Sequence, residues 1–467
     1  MRLQEHYVIL SEPGSEFIGH VAPPSGHGWA IAQAIFTYLS IHNLLGSVLC
    51  AGADGTNVNV GPDGGAIRYL EMLTGNALHY FICMLHGNEL PFRALFYYYD
   101  GKPSGPETWS GPIGKSIKQD VQLLPVIKFH AIQFQEFPVL PPDVVNDLSW
   151  DQLYLYRICG AIINGHVDAD LAAIEPGPAC VSRWNTLWCR ICRLYVATLR
   201  PSRELVRLTT IIVKFSAPMW FEIKYNQFAH QGAKNVYKCL ILMKSLNAVE
   251  KAVAKKVVQR NAFFAHSDQV LLAMCADDDS AVRKKAVKLI KRVRKGQAEE
   301  EEEVEEEVVV VEEEEEYEEN VMAETFDEEV EAVDENILLS DDEETNSENE
   351  NDMLHEYRMN HSVRRMVVPR LKWRAKSYHT MIDWANLESE PPFIAKLSEE
   401  ELEGVLEAPL KVPLWKCHTQ PVERAIRLMT DACVHVSSPE ERDGFMRQRL
   451  FSRLNMPTFR AKKDYKF

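Results

Sequence analysis

Asp54 is the first residue whose type and position suggest chemistry. It follows SVLCAGA, an apolar run long enough for a buried strand, and it opens a polar, glycine-rich stretch. A carboxylate at the carboxyl end of a strand is well placed to bind Mg²⁺, which needs only one or two carboxylates from a protein. Spacing alone favours a simpler interpretation, in which Asp54 and Asn57 hydrogen-bond the amides of a turn.

A Cys-x-x-His pair, Cys83 and His86, follows within CMLHGNEL. This spacing is typical of one half of a zinc site, but no second pair with zinc-ligand spacing follows it. The later Cys189 and Cys192 lie in a stretch with helical periodicity and are equally well explained by core packing.

Two further segments carry polar chemistry. Ser182-Arg183-Trp184-Asn185 combines a guanidinium with an indole, which could anchor a phosphate or an internal carboxylate. Glu423 lies on a predicted helix beside Arg424, where such a pair is usually surface charge.

Several enzyme classes lack their signatures in this sequence. There is no GxxxxGK[ST] loop for nucleotide phosphates and no GxSxG elbow for a nucleophilic serine. The glycines of GPDGGA do not form a dinucleotide-binding fingerprint, and no zinc-finger spacing is present.

The charge is distributed very unevenly. The net charge is −17, yet 29 of the 68 acidic residues lie between Glu299 and Asp352, where there is no Lys or Arg. The remainder holds 68 − 29 = 39 acids against 51 bases, a balance of +12. This distribution predicts nucleic-acid binding regulated by a polyanionic segment, or a solvated spacer in a scaffold protein.

Composition indicates an intracellular protein. No uncharged apolar run reaches the roughly 18 residues of a membrane span, and residues 1–10 lack a secretory pattern. The 10 scattered cysteines are more simply free thiols than a disulfide framework.

The first part of the chain predicts an α/β fold. HYVILSE and EFIGHVA form two strands around a Pro-Gly turn, and Ile31, Ile35 and Leu39 mark a helix over about 28–42. SVLCAGA, AIRYLEML and LHYFICML then predict a strand, a helix and a strand that extends toward His86.

Residues 148–295 predict a helical region that ends in a basic amphipathic helix. Asp279 or Ser280 can cap this helix, and an apolar stripe faces the core. The predicted opposite face carries cations that could contact DNA phosphates, although solvated basic faces are common. The candidate nucleic-acid-binding residues are Arg283, Lys284, Lys285, Lys288, Lys291 and Arg292.

These patterns divide the chain into four parts. We expect a partial core at 1–147, a helical insertion at 148–298, and a disordered acidic segment at 299–352. Residues 353–467 would hold the rest of the insertion and a helix at 421–436 that completes the core.

The order of these motifs resembles the hAT superfamily of transposases. Asp54 in DGTNVNVG is followed by Cys83, His86 and Asn88, then by SRWN with Arg183 and Trp184, then by Glu423. CAGADGTNVNVG, LHGNELPFRALF, GPIGK and RDGFMRQRL also resemble segments of a family of transposon-derived animal proteins. The resemblance covers most of the chain outside the acidic segment.

The resemblance implies a ribonuclease-H-like core interrupted by a large helical insertion. Asp54 would then be the second and Glu423 the third catalytic carboxylate of a site that uses two Mg²⁺ ions to cut DNA. Two departures predict a vestigial site: no Asp precedes Asp54, and Val422 and Ile426 replace residues usual around the last glutamate. Without the first strand, we expect unpaired edges on HYVILSE and SVLCAGA, and either an unstable protein or a truncated sequence.

Three functions therefore stay open. The first is a transposase-derived nuclear protein that binds DNA or protein without cutting. The second is an active Mg²⁺-dependent nuclease, if an upstream region supplies the first aspartate. The third is a scaffold whose acidic segment recruits basic proteins, with no cofactor in either non-enzymatic case. Oligomeric state and DNA target do not follow from the sequence.

Overall fold

The computed structural model describes residues 6–61, 64–105, 108–179, 184–260 and 267–295, and later 376–382, 384, 391–422, 425–426, 444 and 447. The fold is α/β and mostly helical. Its short strands lie near the amino end, and the other described elements are helices.

The predicted hairpin is confirmed. Strand β1 (Tyr7–Ser11) pairs antiparallel with β2 (Glu16–Val21), and an irregularity in register lies between Ile9 and Leu10. The turn between them is held by the Glu12 carboxylate, which accepts from Ser15 N at 3.1 Å and Ser15 Oγ at 2.6 Å. Ser15 has a φ of 56°, so these bonds offset a conformation that serine adopts rarely.

The predicted helix–strand–helix–strand order is also confirmed. Helix α1 (Gly28–Ile41) precedes β3 (Cys50–Ala53), and α3 (Ala66–Thr74) precedes β4 (His79–Ile82). A short helix, α2 (Asn57–Val60), lies between β3 and α3.

Strands β3 and β4 are parallel, from Cys50 opposite His79 to Ala53 opposite Ile82. The described strands form two separate pairs, β1–β2 and β3–β4. Within the described residues each of these four strands therefore pairs on one side only.

Helices α1 and α3 approach each other through their first residues. A Cβ atom on Gly28 would lie 2.4 Å from the carbonyl oxygen of Gly64 and 3.1 Å from the nitrogen of Ala66. Only glycine fits this contact, which brings Ala32 of α1 against Tyr69 and Met72 of α3.

The strand predicted in LHYFICML ends earlier than expected. It stops at Ile82, and Met84 already starts helix α4 (Met84–Asp100). A short apolar run does not distinguish a strand from the first turn of a buried helix. His86 therefore lies on a helix.

The predicted helical region is confirmed. Its helices are α5 (Pro112–Lys118), α6 (Pro142–Asp147), α7 (Trp150–Asn164), α8 (Ala169–Ala173), α9 (Trp184–Tyr195), α10 (Arg203–Ile211), α11 (Ala217–Tyr225), α12 (Gly232–Leu242), α13 (Ala248–Arg260), α14 (Ser267–Cys275) and α15 (Ser280–Arg294). A π-helical turn, Ile212–Ser216, joins α10 to α11.

One hydrophobic core runs through these helices, with Phe92 of α4, Tyr154 of α7 and Trp188 of α9 fully or almost fully buried. Helix α4 belongs to this core and packs against α13, so the core extends across the boundary predicted at residue 147.

Helices α16 (Pro392–Ala395) and α17 (Glu399–Glu407) follow, and residues 420–422 and 425–426, at the start of the helix predicted at 421–436, are also helical. Ser398 caps α17 by accepting from the nitrogen of Glu401, whose carboxylate accepts from the nitrogen of Ser398 at 2.7 Å. Helix α17 packs against α15.

Candidate functional site

Asp54 holds the turn that follows β3. Its Oδ1 accepts from Thr56 Oγ1 at 2.8 Å, Thr56 N at 3.3 Å and Asn59 Nδ2 at 2.7 Å. These bonds fix the chain as it enters α2. The turn interpretation of Asp54 is thus realised, with Thr56 and Asn59 as its hydrogen-bond partners.

His86 lies next to this turn. The parallel register places the carboxyl ends of β3 and β4 side by side, so the first turn of α4 reaches the residues after Ala53. A Cβ atom on Gly55 would lie 3.5 Å from His86 Cδ2. The structure therefore brings together two motifs that are 32 positions apart.

The charge of His86 follows from this environment. Burial lowers the pKa of His86, the nearby Asp54 carboxylate opposes that shift, and Arg93 adds to it. Because the net pKa lies below the ordinary 6.5, His86 is neutral at pH 7. A neutral imidazole beside a carboxylate can accept a proton or a metal ion.

Cys83 has a different set of partners. Its thiol is buried and accepts from Thr419 Oγ1 at 3.3 Å and Thr419 N at 3.4 Å. Burial raises the pKa of Cys83, so the thiol is protonated at neutral pH. The Cys83 N–H donates to the Ala53 carbonyl at 2.9 Å and extends the strand pairing. Cys83 thus joins β3, α4 and residue 419.

The possible zinc site at Cys83 and His86 has no third ligand in the part of the chain that the structure describes. No group of three or more His, Cys, Asp or Glu side chains there is arranged to hold a metal ion. Cys189 and Cys192 are fully buried on α9, where they pack in the core. For a divalent cation, Asp54 and His86 are the ligands that this region offers.

Asn88 connects α4 to the π-helical turn. Its Nδ2 donates at 3.0 Å to the carbonyl of Ser216, the last residue of that turn. This bond connects α4 to the end of the π-helical turn, which is a structural role.

Trp184 packs in the core. It lies at the first position of α9, and its ring contacts Phe92, Phe96 and Tyr97 edge-on at 6.0–6.1 Å between centroids. This is the geometry of a hydrophobic aromatic cluster. Ser182 and Arg183 lie outside the described residues, and so does Glu423, the predicted third carboxylate.

Helix α15 is the predicted basic helix, and Asp279 caps it by accepting from Ala281 N at 2.8 Å. Arg283 does not lie on the exposed face, which corrects its predicted position. It is 5% exposed, and its guanidinium donates to the carbonyls of Val405, Asp277 and Asp278 at 2.7–2.9 Å. The cause is α17, which covers this side of α15.

Other cations of α15 also bind α17 and the residues before it. Lys291 pairs with Glu403 and lies 3.7 Å from Glu399, and Arg294 donates to the carbonyls of Ile394 and Leu397. These cations connect α15 to its neighbour.

Three lysines of α15 are exposed to solvent. Lys284, Lys285 and Lys288 are exposed, and within the described residues no hydrogen bond or ion pair engages them. Arg292, one turn further along, is half-buried. They form what we call the α15 lysine face: Lys284, Lys285, Lys288 and Arg292.

Sequence reasoning did not find the contact that attaches β4 to the helices. His79 Nδ1 lies 2.9 Å from Asp268 Oδ2, and Gln269 Nε2 donates to the Tyr80 carbonyl at 2.7 Å. The partners are 189 positions apart, and no local pattern links them.

Comparison with protein-family models, curated proteins and solved structures gave no match. The resemblance to transposases therefore stays a proposal. None of the described helices is long and apolar enough to cross a bilayer.

Proposed function

We propose that this protein binds DNA through the α15 lysine face and that it derives from a hAT-like transposase. The observation that carries the DNA-binding proposal is the division of cations on α15. Arg283, Lys291 and Arg294 bind protein groups, whereas the cations of the lysine face have no partner among the described residues.

The size of the lysine face fits a phosphate backbone. From Lys284 to Arg292 the helix advances about 12 Å, at about 1.5 Å per residue. One DNA strand carries a phosphate for about every 3.4 Å of axis, so the face spans several phosphates. Each contact would release counterions, and binding would depend steeply on salt without requiring a particular base sequence.

The ribonuclease-H-like core is the second part of the proposal. An antiparallel hairpin followed by a parallel pair supports it. An electrostatic effect also connects the two pairs: burial raises the pKa of Cys50, in β3, to about 12, and the Glu12 carboxylate, which follows β1, adds to that shift. In the fold that the resemblance implies, one further strand would lie between β1 and β3.

We propose binding rather than strand cleavage as the activity, in the nucleus. Support comes from Asp54, whose Oδ1 already takes three hydrogen bonds from its own turn. The competing proposal is a Mg²⁺-dependent nuclease in which Asp54 and Glu423 act with a further carboxylate. Cleavage of a DNA hairpin that requires Mg²⁺ and is lost in Asp54→Ala would favour the nuclease.

The DNA-binding proposal is tested by a charge-reversal triple variant, Lys284→Glu, Lys285→Glu and Lys288→Glu. Its matched control reverses three exposed lysines on other segments, Lys115, Lys128 and Lys411, so the net charge changes equally. We expect affinity for a 30-base-pair duplex to fall on the order of a hundredfold in the first variant and much less in the control. Equal losses in both would show that net charge alone governs binding.

A further inference from the structure

The guanidinium of Arg193 is enclosed in the helical core. Arg193 lies on α9 and is 1% exposed. Its Nη2 donates to the carbonyls of Leu124 at 2.6 Å, Gln122 at 3.3 Å and Ala172 at 3.5 Å. These bonds hold one end of the guanidinium against the segments that cover α9.

The other nitrogens of Arg193 are not satisfied. Nε and Nη1 are buried, and neither has a hydrogen-bond partner among the described residues. Arg190, one turn earlier, offers a comparison within the same helix. Its Nε, Nη1 and Nη2 all donate to backbone carbonyls, with Ile117 and Gln119 each accepting at 2.5 Å. The chain thus satisfies one buried guanidinium fully and the next only in part.

No carboxylate among the described residues forms an ion pair with Arg193. Burial lowers its pKa, and the phenol of Tyr154 is the group that opposes this. A guanidinium nevertheless keeps its proton in proteins. A buried cation without a counter-charge is strongly unfavourable, and so is each buried N–H without an acceptor.

Tyr154 adds a further buried hydrogen-bond donor to the helical core. It lies on α7, which packs against α9, and it is 2% exposed. Its hydroxyl is buried without a hydrogen-bond partner among the described residues. Burial raises the pKa of Tyr154, and the positive charges of Arg193 and Arg190 oppose that shift. The phenol stays protonated and can donate.

We propose that Arg193 and Tyr154 form a binding site for one small inorganic anion, chloride or phosphate, enclosed between α7 and α9. The donors select an anion because they offer N–H and O–H groups and a positive charge. Gln122 Oε1, which is also buried without a partner among the described residues, could instead share a water molecule with Arg193. A bound water alone is the outcome that contradicts the proposal.

The first experiment measures anion retention. Protein purified in chloride or in phosphate is dialysed exhaustively into an anion-free zwitterionic buffer and unfolded in urea. Ion chromatography then measures the released anion. Because the site is enclosed, we expect about one anion per chain to survive the dialysis. Release that does not exceed that of an Arg193→Met variant would overturn the proposal.

The second experiment keeps the test valid if Arg193→Met does not fold. Tm is measured against chloride or phosphate concentration at constant ionic strength. Binding to the folded state raises Tm with anion concentration. Tyr154→Phe removes one hydrogen bond to a charged ligand and should weaken apparent affinity about tenfold.

Tyr195→Phe is the matched control for Tyr154→Phe. Its hydroxyl already donates to the His130 carbonyl at 2.8 Å, so its loss should leave the anion dependence of Tm unchanged. The same anion dependence in wild type, Tyr154→Phe and Tyr195→Phe would show that Tyr154 takes no part and would overturn the site.

Discussion

His79 and Asp268 form a buried pair, with His79 Nδ1 2.9 Å from Asp268 Oδ2 and both side chains at most 1% exposed. The pair links β4 to α14 and therefore attaches the small parallel sheet to the helical core. His79 is surrounded by Phe81, Phe393 and Trp415, whose ring centroids lie 5.6–6.0 Å from its own. These rings exclude water from the contact between His79 of β4 and Asp268 of α14.

Asp268→Ala should be strongly destabilising. It leaves a buried imidazole without its partner, and losing one member of a buried pair costs about 3 kcal/mol. Urea unfolding at pH 7 measures the change. The control is Asp170→Ala, which removes a solvent-exposed partner of Arg157 and should leave the transition unchanged within error. Equal effects of the two substitutions would mean that the His79–Asp268 contact contributes nothing.

The hydrogen bonds of the Glu250 carboxylate predict that the stability of the protein depends on pH. Its carboxylate accepts from Arg207 Nε at 2.9 Å and Nη2 at 2.5 Å, Tyr99 Oη at 2.7 Å and Asn247 N at 2.8 Å. Burial opposes ionisation, but the hydrogen bonds prevail, led by those from Arg207, and the pKa of Glu250 lies below the ordinary 4.5.

The direction of the pH dependence of stability follows from the lowered pKa of Glu250. A lowered folded-state pKa stabilises the fold fully above pH 4.5, and the contribution is lost as pH falls below 4.5 toward the folded-state pKa. Glu250→Gln should therefore cost about 3 kcal/mol at pH 7 and progressively less at lower pH. Urea unfolding of both proteins from pH 7 to pH 3 checks this. A difference that does not change with pH would contradict it.

Substitutions of Asp54 distinguish its role in the turn from a role as a metal ligand. Asp54→Asn keeps an acceptor oxygen for Thr56 and Asn59, so stability should change by less than about 0.5 kcal/mol, whereas Asp54→Ala should cost about 1–2 kcal/mol. Thermal unfolding with and without Mg²⁺ measures both. If Mg²⁺ stabilises the wild type and Asp54→Asn abolishes that gain, Asp54 is a metal ligand and the nuclease proposal is favoured.

The acidic segment distinguishes DNA binding from a scaffold. Under the DNA-binding proposal, removal of residues 299–352 takes away 29 carboxylates that compete with phosphates, so DNA affinity should rise. Under the scaffold alternative, the same deletion should abolish binding to basic proteins such as histones. Duplex binding and histone capture by the full chain and the deletion variant separate the two. No change in either would contradict both.

Local patterns were sufficient for several elements. The spacing of four residues between Ile31, Ile35 and Leu39 predicted α1. The proline and glycine between two alternating segments predicted the β1–β2 hairpin. The apolar stripe predicted α15, and of its two candidate caps, Asp279 and Ser280, the structure has Asp279. In these cases the signal lies within one element, because periodicity and turn chemistry are local.

The features that local patterns did not predict depend on contacts between segments that are distant in the sequence. Arg283 belongs to the basic face by helical periodicity, but carbonyls of α17 more than 120 positions later bury it. The proximity of Asp54 and His86 depends on the parallel register of β3 and β4, and local sequence patterns do not determine that register. Trp184 carries the chemistry of an anchor, but neighbouring aromatic rings make it a core residue.

The most direct test of the central proposal is the salt dependence of duplex binding. Log Kd is measured against log salt for the wild type and for a variant with Lys284→Ala, Lys285→Ala and Lys288→Ala. If each lysine contacts one phosphate, the slope should fall by about 3, since each contact adds about 0.9. An unchanged slope, or no measurable binding by the wild type at low salt, would contradict DNA binding through the α15 lysine face.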